Sequence, residues 1–174
     1  MLETINVEEE LERFSKSVIK QTKTNLTKKG INASKDLYNS FDYNVKVSKN
    51  SIDLDINSLE YNEYGKFIDF GVKGVESGRS LAGYKYTNKR PPVNEIKKWM
   101  RVKPIKARNK KTGKFITQEQ GAFLIANAIY KKGIKPTEFF SRPFELAFDK
   151  LPDDLVEAYG LDVEQFMEFV LKTE

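Results

Sequence analysis

An α+β fold is predicted, and three observations predict it. Apolar residues recur at helical spacing over residues 7–29. The period then changes to two between Tyr43 and Ile56, and it returns to helical spacing, with capping and stop signals, beyond Pro92. The expected architecture is a small, mainly antiparallel sheet built on a hairpin at about 43–56, covered by a long N-terminal helix and several later helices.

Taken in order, Asn6 is the expected N-cap of the first helix, with three glutamates in its first turn where the helix dipole favours negative charge. Leu11, Phe14, Val18, Ile19 and Leu26 form its apolar face, and Gly30 is its natural stop. Ser34 can cap a short second helix in which Leu37, Tyr38 and Phe41 share a face. Tyr43, Val45 and Val47 then alternate with polar residues, 48–51 make a turn, and Ile52, Leu54 and Ile56 alternate again. Two strands alone are marginal in water, so the first helix is the expected cover.

A short helix is predicted over 59–70, with Gly65 inside it at a cost of about 1 kcal/mol relative to Ala and Gly71 as its stop. Residues 71–88 read as a long loop or loose hairpin. Pro91 and Pro92 open a helix whose stripe is Val93, Ile96, Trp99 and Met100, with Lys97, Lys98 and Arg101 pointing away. Trp99 is thereby expected in the core. A turn is predicted at 109–113, and Thr117 with Gln120 fits a capping box. The helix that follows is apolar nearly all round between Phe123 and Ile129, which makes it the expected central buried helix. Lys131, Lys132 and Gly133 stop it, with glycine in a left-handed turn and Pro136 forbidding continuation. Ser141 can cap another helix with Phe144, Ala147, Phe148 and Leu151 inward. Pro152 and Gly160 are expected to bracket a short acidic helix, and Asp162 to cap a final one bearing Phe166, Phe169 and Val170. The expected organisation is a single α+β domain, 1–151, followed by an acidic helical extension, 152–174.

The 174 residues contain no cysteine and no histidine, which excludes disulfides, thiolate nucleophiles, Cys/His zinc sites and imidazole bases. No apolar run reaches the roughly 18 residues that span a bilayer. The first residues are acidic where a secretory signal would be basic and then apolar, so the chain is expected to be made and used without translocation, away from membranes. Glu60, Glu63 and Asp69 are the only acids in an aromatic neighbourhood. As a magnesium nuclease site they are poorly arranged, since Glu60 and Glu63 lie one turn apart while Asp69 falls on another face. Gly71, Gly74 and Gly78 lack the setting of a phosphate loop. The expectation is a non-enzyme without cofactor or metal.

Charge is segregated. Residues 79–114 hold thirteen Lys or Arg against Glu95 alone, a net +12, whereas 149–174 hold eight acids against two lysines, a net −6. The basic segment admits three readings. It can be a solvated face, a sequence-independent nucleic-acid contact with salt-sensitive phosphate binding, or a surface docking onto an acidic protein. The complementary acidic end of the same chain favours the third. The candidate contact residues are Arg79, Lys85, Lys89, Arg90, Lys103, Lys106, Arg108, Lys110, Lys111 and Lys114 on the basic side. Asp153, Asp154 and Glu157 are the acidic candidates, with Phe166 and Phe169 as anchors that either pack at home or enter a neighbour's groove.

Four motifs in order carry a resemblance: NAS-x-D-L-x-NSF-x-Y-x-V from Asn32, Y-x-x-Y-x-x-F-I-D-F-G from Tyr61, PP-x-x-x-I-x-x-W from Pro91, and A-x-x-IA-x-x-I-x-x-KGI-x-P-x-x-FF from Ala122. Over about 32–148 the chain resembles the neck and tail-completion proteins of long-tailed double-stranded DNA bacteriophages. The resemblance implies a small α+β structural protein of the virion neck or tail, made in the host bacterial cytoplasm, with no enzymatic residues. It also implies a homo-oligomeric ring at the head–tail junction, with other neck, portal-side and tail proteins as partners and DNA passing through the channel. The loop around Arg79 and the acidic extension depart from the family pattern. The rival expectation is a non-sequence-specific nucleic-acid binder using residues 79–114.

Overall fold

Local periodicity becomes α+β structure, seen in a computed structural model that describes residues 4–31, 35–48, 51–58, 61–77, 83–109 and 111–173. The chain divides into two compact units. One comprises Met1–Lys28, Tyr38–Leu59 and Phe139–Glu174, and the other Lys29–Leu37 and Glu60–Glu138.

In the first unit, helix α1 (Ile5–Lys28) buries Leu11, Phe14, Val18, Ile19 and Leu26 at steps of three and four. It starts one residue before Asn6, with the Glu8 amide donating to the Thr4 carbonyl at 3.0 Å, so Asn6 is not its cap. The expected hairpin forms from β1 (Asp42–Ser48) and β2 (Ser51–Asn57), which pair Tyr43 with Ile56, Val45 with Leu54 and Val47 with Ile52. Lys49 and Asn50 of the predicted turn lie outside the described residues. Val45, Ile52, Leu54 and Ile56 pack on the cluster of Leu11, Phe14, Val18 and Leu151. Burial of these side chains is what makes a two-stranded sheet tenable.

Helix α6 (Ser141–Phe148) begins at Ser141 itself, and Phe140, not the expected Ser141, occupies its N-cap position. Phe144 meets Phe14 edge-on at 5.8 Å and stacks on Phe140 and Phe148. Phe148, expected inward, is exposed at the end of that stack. Phe41 meets Phe139 and Phe140, and the Asn25 amide donates to the Phe139 carbonyl at 3.3 Å.

The largest correction concerns the C-terminal segment. Helix α7 (Leu151–Thr173) is continuous, where two short helices are expected. Pro152 sits in its first turn, where a missing N–H costs nothing. Gly160 lies inside it with open space around its Cα, and the roughly 1 kcal/mol cost of one glycine is outweighed by continued packing along α1. The two helices run antiparallel, since Leu151 joins the Leu11–Val18 cluster while Asp162 meets Asn6. Asp162 therefore caps α1 rather than a new helix. Its carboxylate, 2% exposed, accepts from the Asn6 amide at 2.9 Å, the Asn6 side chain at 2.8 Å and the Val7 amide at 3.2 Å. These amides are otherwise orphans at a helix start, and the charge suits the dipole there.

In the second unit, the helix expected over 59–70 divides into a π-helical turn (Tyr61–Gly65) and α3 (Lys66–Asp69), while Leu59 and Glu60 lie outside the described residues. Gly65 packs closely, since a Cβ there would stand 2.9 Å from the Tyr61 ring and 3.1 Å from Leu37 Cδ1 in the short helix α2 (Asp36–Asn39), whose expected cap Ser34 lies outside the described residues. Gly71 ends the helix at φ +78°, as expected.

The predicted loop at 71–88 is instead partly a sheet. β3 (Val72–Lys73) lies between β4 (Tyr84–Lys85), parallel to it, and β5 (Gly133–Ile134), antiparallel. Gly133 takes φ +80° and ψ −172°, an extended region open essentially to glycine only, rather than the left-handed turn. It crosses Gly74 so closely that a Cβ on either glycine would overlap backbone of the other segment. The amides of Val75 and Glu76 take the last carbonyls of α5 (Gln118–Lys132), at Tyr130 and Lys131, each at 3.0 Å.

Helix α4 (Val93–Val102) packs on α5 through Met100, Gly121, Ala122 and Ala126, all buried. The capping box at Thr117 and Gln120 is formed. The turn at 109–113 is formed around Asn109, whose side chain accepts from the Lys111 amide at 2.8 Å and the Thr112 amide at 3.2 Å. Two expectations fail in this unit. α5 is not centrally buried, since small residues make its contact and Phe123 and Leu124 are 49% and 56% exposed. Trp99 is 40% exposed rather than core, and Lys97, expected to point away, reaches Glu119 at 2.7 Å.

Candidate assembly surfaces

The basic candidates sort by what their side chains already touch. Arg90 lies over the Phe123 and Tyr130 rings, at 5.8 and 5.7 Å from their centroids. Lys103 donates to the Gly30 carbonyl and lies over the Trp99 ring at 5.9 Å. Arg108 covers the Phe115 ring at 4.3 Å, across the bridge that closes the 109–113 turn. These three cations serve their own unit, each cation–π contact adding about 0.5–1 kcal/mol at an exposed position. Lys85, Lys89, Lys106, Lys111 and Lys114 are exposed and make no ion pair among the described residues. Arg79 and Lys110 lie outside the described residues.

On α7, Asp153, Asp154 and Glu157 are exposed. Phe169 is exposed and Phe166 half-buried. Beyond these two rings, the helix carries a feature that sequence reading passed over. Val156, Tyr159, Val163, Met167 and Val170 follow at steps of three and four, and all are exposed. Val156, at 74%, is the extreme. A helix so marked presents one apolar stripe to solvent. Eleven residues of α7, 163–173, lie past the level where Asp162 meets the start of α1. At 1.5 Å per residue they extend about 16 Å.

Of the acidic trio near aromatic residues, only Asp69 has a described side chain. Glu60 and the side chain of Glu63 lie outside the described residues. Asp69 is fully buried and accepts the Tyr61 hydroxyl at 3.0 Å. Burial pushes the Tyr61 hydroxyl far above its usual range, and the charge of Asp69 adds to that. Thr137 and Glu138 amides close on the Ile68 and Asp69 carbonyls at 3.0–3.1 Å, so this corner joins two segments of backbone. Gly71 and Gly74 likewise serve close approach, not a phosphate cradle. At the α4–α5 contact, the hydrogen bond from Lys97 holds the Glu119 carboxyl below the usual carboxylate range. No group of three potential metal ligands occurs among the described residues, and no described helix is long and apolar enough to cross a membrane.

Comparison with protein-family models, with curated proteins and with solved structures finds no match to this chain.

Proposed function

We propose that this protein is an architectural, non-catalytic subunit of an oligomeric ring, and that the ring is the structural component of a phage head–tail junction suggested by the four-motif resemblance. The observation that carries the reading is the exposed apolar stripe of α7, flanked by acids and continuing past its own helix partner. Contiguous exposed apolar surface of this kind marks protein contacts. A ring needs a heterologous interface, one patch meeting a different patch on the next copy. An acidic, apolar helix in one unit, and exposed lysines and exposed Phe123 and Leu124 in the other, supply two such unlike kinds of surface.

Deleting 163–174 tests this, since it spares Leu151, Ala158 and Asp162 and so leaves α1 capped and packed. Light scattering and electron microscopy should give a ring-sized particle for the full chain, alone or with purified head–tail junction components as template, and a monomer for the truncation. An unchanged ring after truncation, or a full chain that stays monomeric on every template, would overturn the proposal.

A further inference from the structure

A second basic surface lies in the first unit, built from residues other than the 79–114 segment. Helix α1 and the chain entering β1 enclose a groove of about 710 Å³ lined by Lys16, Lys20, Lys23 and Lys28 on the helix side and by Tyr38 and Tyr43 opposite. Lys16, Lys20 and Lys23 stand at steps of four and three, hence on one helix face. With Lys28 they extend over about 18 Å of axis. Asp42 is the single acid in the lining, and its carboxylate already accepts from the Tyr43 amide at 2.9 Å. Lys16 is paired with Glu12 at 2.6 Å, while Lys20 and Lys28 are exposed without a carboxylate partner among the described residues. The cations are interleaved with aromatic faces: Lys23 lies 5.3 Å from the Tyr38 centroid and Lys16 5.9 Å from that of Tyr43.

We infer that this groove binds a single strand of nucleic acid, its phosphates along the lysines of α1 and its bases against Tyr38 and Tyr43. Lys16, Lys20 and Lys23 on one face, with Lys28 further along the groove, meet a polymer whose charges recur every few ångströms. An acidic peptide would satisfy the lysines alone, whereas a base can displace a lysine from a tyrosine ring and stack there without regard to sequence while the lysine turns to a phosphate. The inference is independent of the ring assembly, which uses α7 and the second unit.

The experiment is fluorescence anisotropy of a labelled twelve-residue oligothymidylate with the full chain between 50 and 200 mM salt. Binding should weaken with salt with a log–log slope of about −2 to −3, as three or four phosphate contacts on a single strand predict. Lys20→Glu with Lys23→Glu should cost at least tenfold in affinity, and Tyr38→Leu a smaller factor at unchanged slope. The milder pair Lys20→Gln and Lys28→Gln, at exposed positions, guards against misfolding and should still lower affinity severalfold. Lys111→Glu with Lys114→Glu should change nothing. Absence of binding at 50 mM salt would overturn the inference, as would loss on reversal at Lys111 and Lys114 alone. Tighter binding of an acidic peptide spanning 151–173 than of the oligonucleotide would instead make the groove a protein-docking site.

Discussion

In the first unit, Leu11, Phe14, Val18 and Leu151 form one buried cluster, and Phe139, Phe140, Phe144 and Phe41 interlock beside it. The second unit has few large buried side chains among its described residues. There Gly74 and Gly133 bring backbones together, Val75 and Glu76 take the carbonyls ending α5, and small residues join α4 to α5. One unit is held chiefly by side-chain volume, the other chiefly by the absence of it. The two should therefore fail under opposite kinds of substitution.

Removing volume should break the first unit. Phe139 is fully buried against Phe41, so Phe139→Ala leaves a cavity that neighbours held by α1 and α6 cannot fill by relaxing. A loss of about 3–5 kcal/mol is expected, read as a lowered denaturant midpoint. A loss under about 1 kcal/mol would mean that the aromatic cluster is loosely packed.

Adding volume should break the second. A methyl group at Gly74 would run into the backbone at Lys131 and Gly133, and backbone cannot swing aside as a side-chain end can. Gly74→Ala is expected to cost about 3 kcal/mol, at the upper end of overpacking effects. Amide hydrogen exchange should report it as faster exchange at Val75, Glu76 and Tyr86, whose amides hold the small sheet. The Phe139→Ala variant should leave those amides protected if the units are separately held.

The same contrast explains what could be read in advance. α1 and the β1–β2 hairpin were legible because both periods are local and their apolar faces coincide with the faces that are buried. The capping box at Thr117 and the turn at Asn109 were legible because side chain and backbone partners lie within a few residues. The three-stranded sheet was not, because two-residue strands carry no period and their partners, Val72, Tyr84 and Ile134, are far apart in sequence. Gly74 and Gly133 left a trace, but glycine alone does not say whether it serves a turn or a close approach. α5 misled because large apolar residues all round a helix do not disclose which face meets a partner, and here it is the face of Gly121, Ala122 and Ala126. In α7, Pro152 and Gly160 have the form of breaks, and only packing on α1 overrides them.

Of the candidate surfaces, Phe169, the three acids of α7 and the described basic candidates of 79–114 other than Lys103 were legible as exposed positions. The stripe from Val156 to Val170 was hidden by the supposed break at Gly160. The lysine spacing on α1 was visible, but the tyrosine wall comes from residues brought alongside by the fold.

The smallest expected effect sharpens the account of the first unit, because it is a gain. Thr22 is fully buried on the apolar face of α1, and its hydroxyl oxygen has no hydrogen-bond partner among the described residues, whereas Ser15 donates back to the Leu11 carbonyl at 2.8 Å. A buried hydroxyl without a partner forfeits its hydration with no return. Valine has nearly the same shape, so Thr22→Val replaces the hydroxyl with a methyl group that the surrounding apolar side chains can contact. Valine and threonine are both β-branched and differ little in helix propensity, so the burial term decides the sign. The variant should gain about 1 kcal/mol, seen as a rise in denaturant midpoint at unchanged m-value. A loss of similar size would show that the hydroxyl is satisfied in solution, and that this unit depends on a buried polar contact as well as on volume.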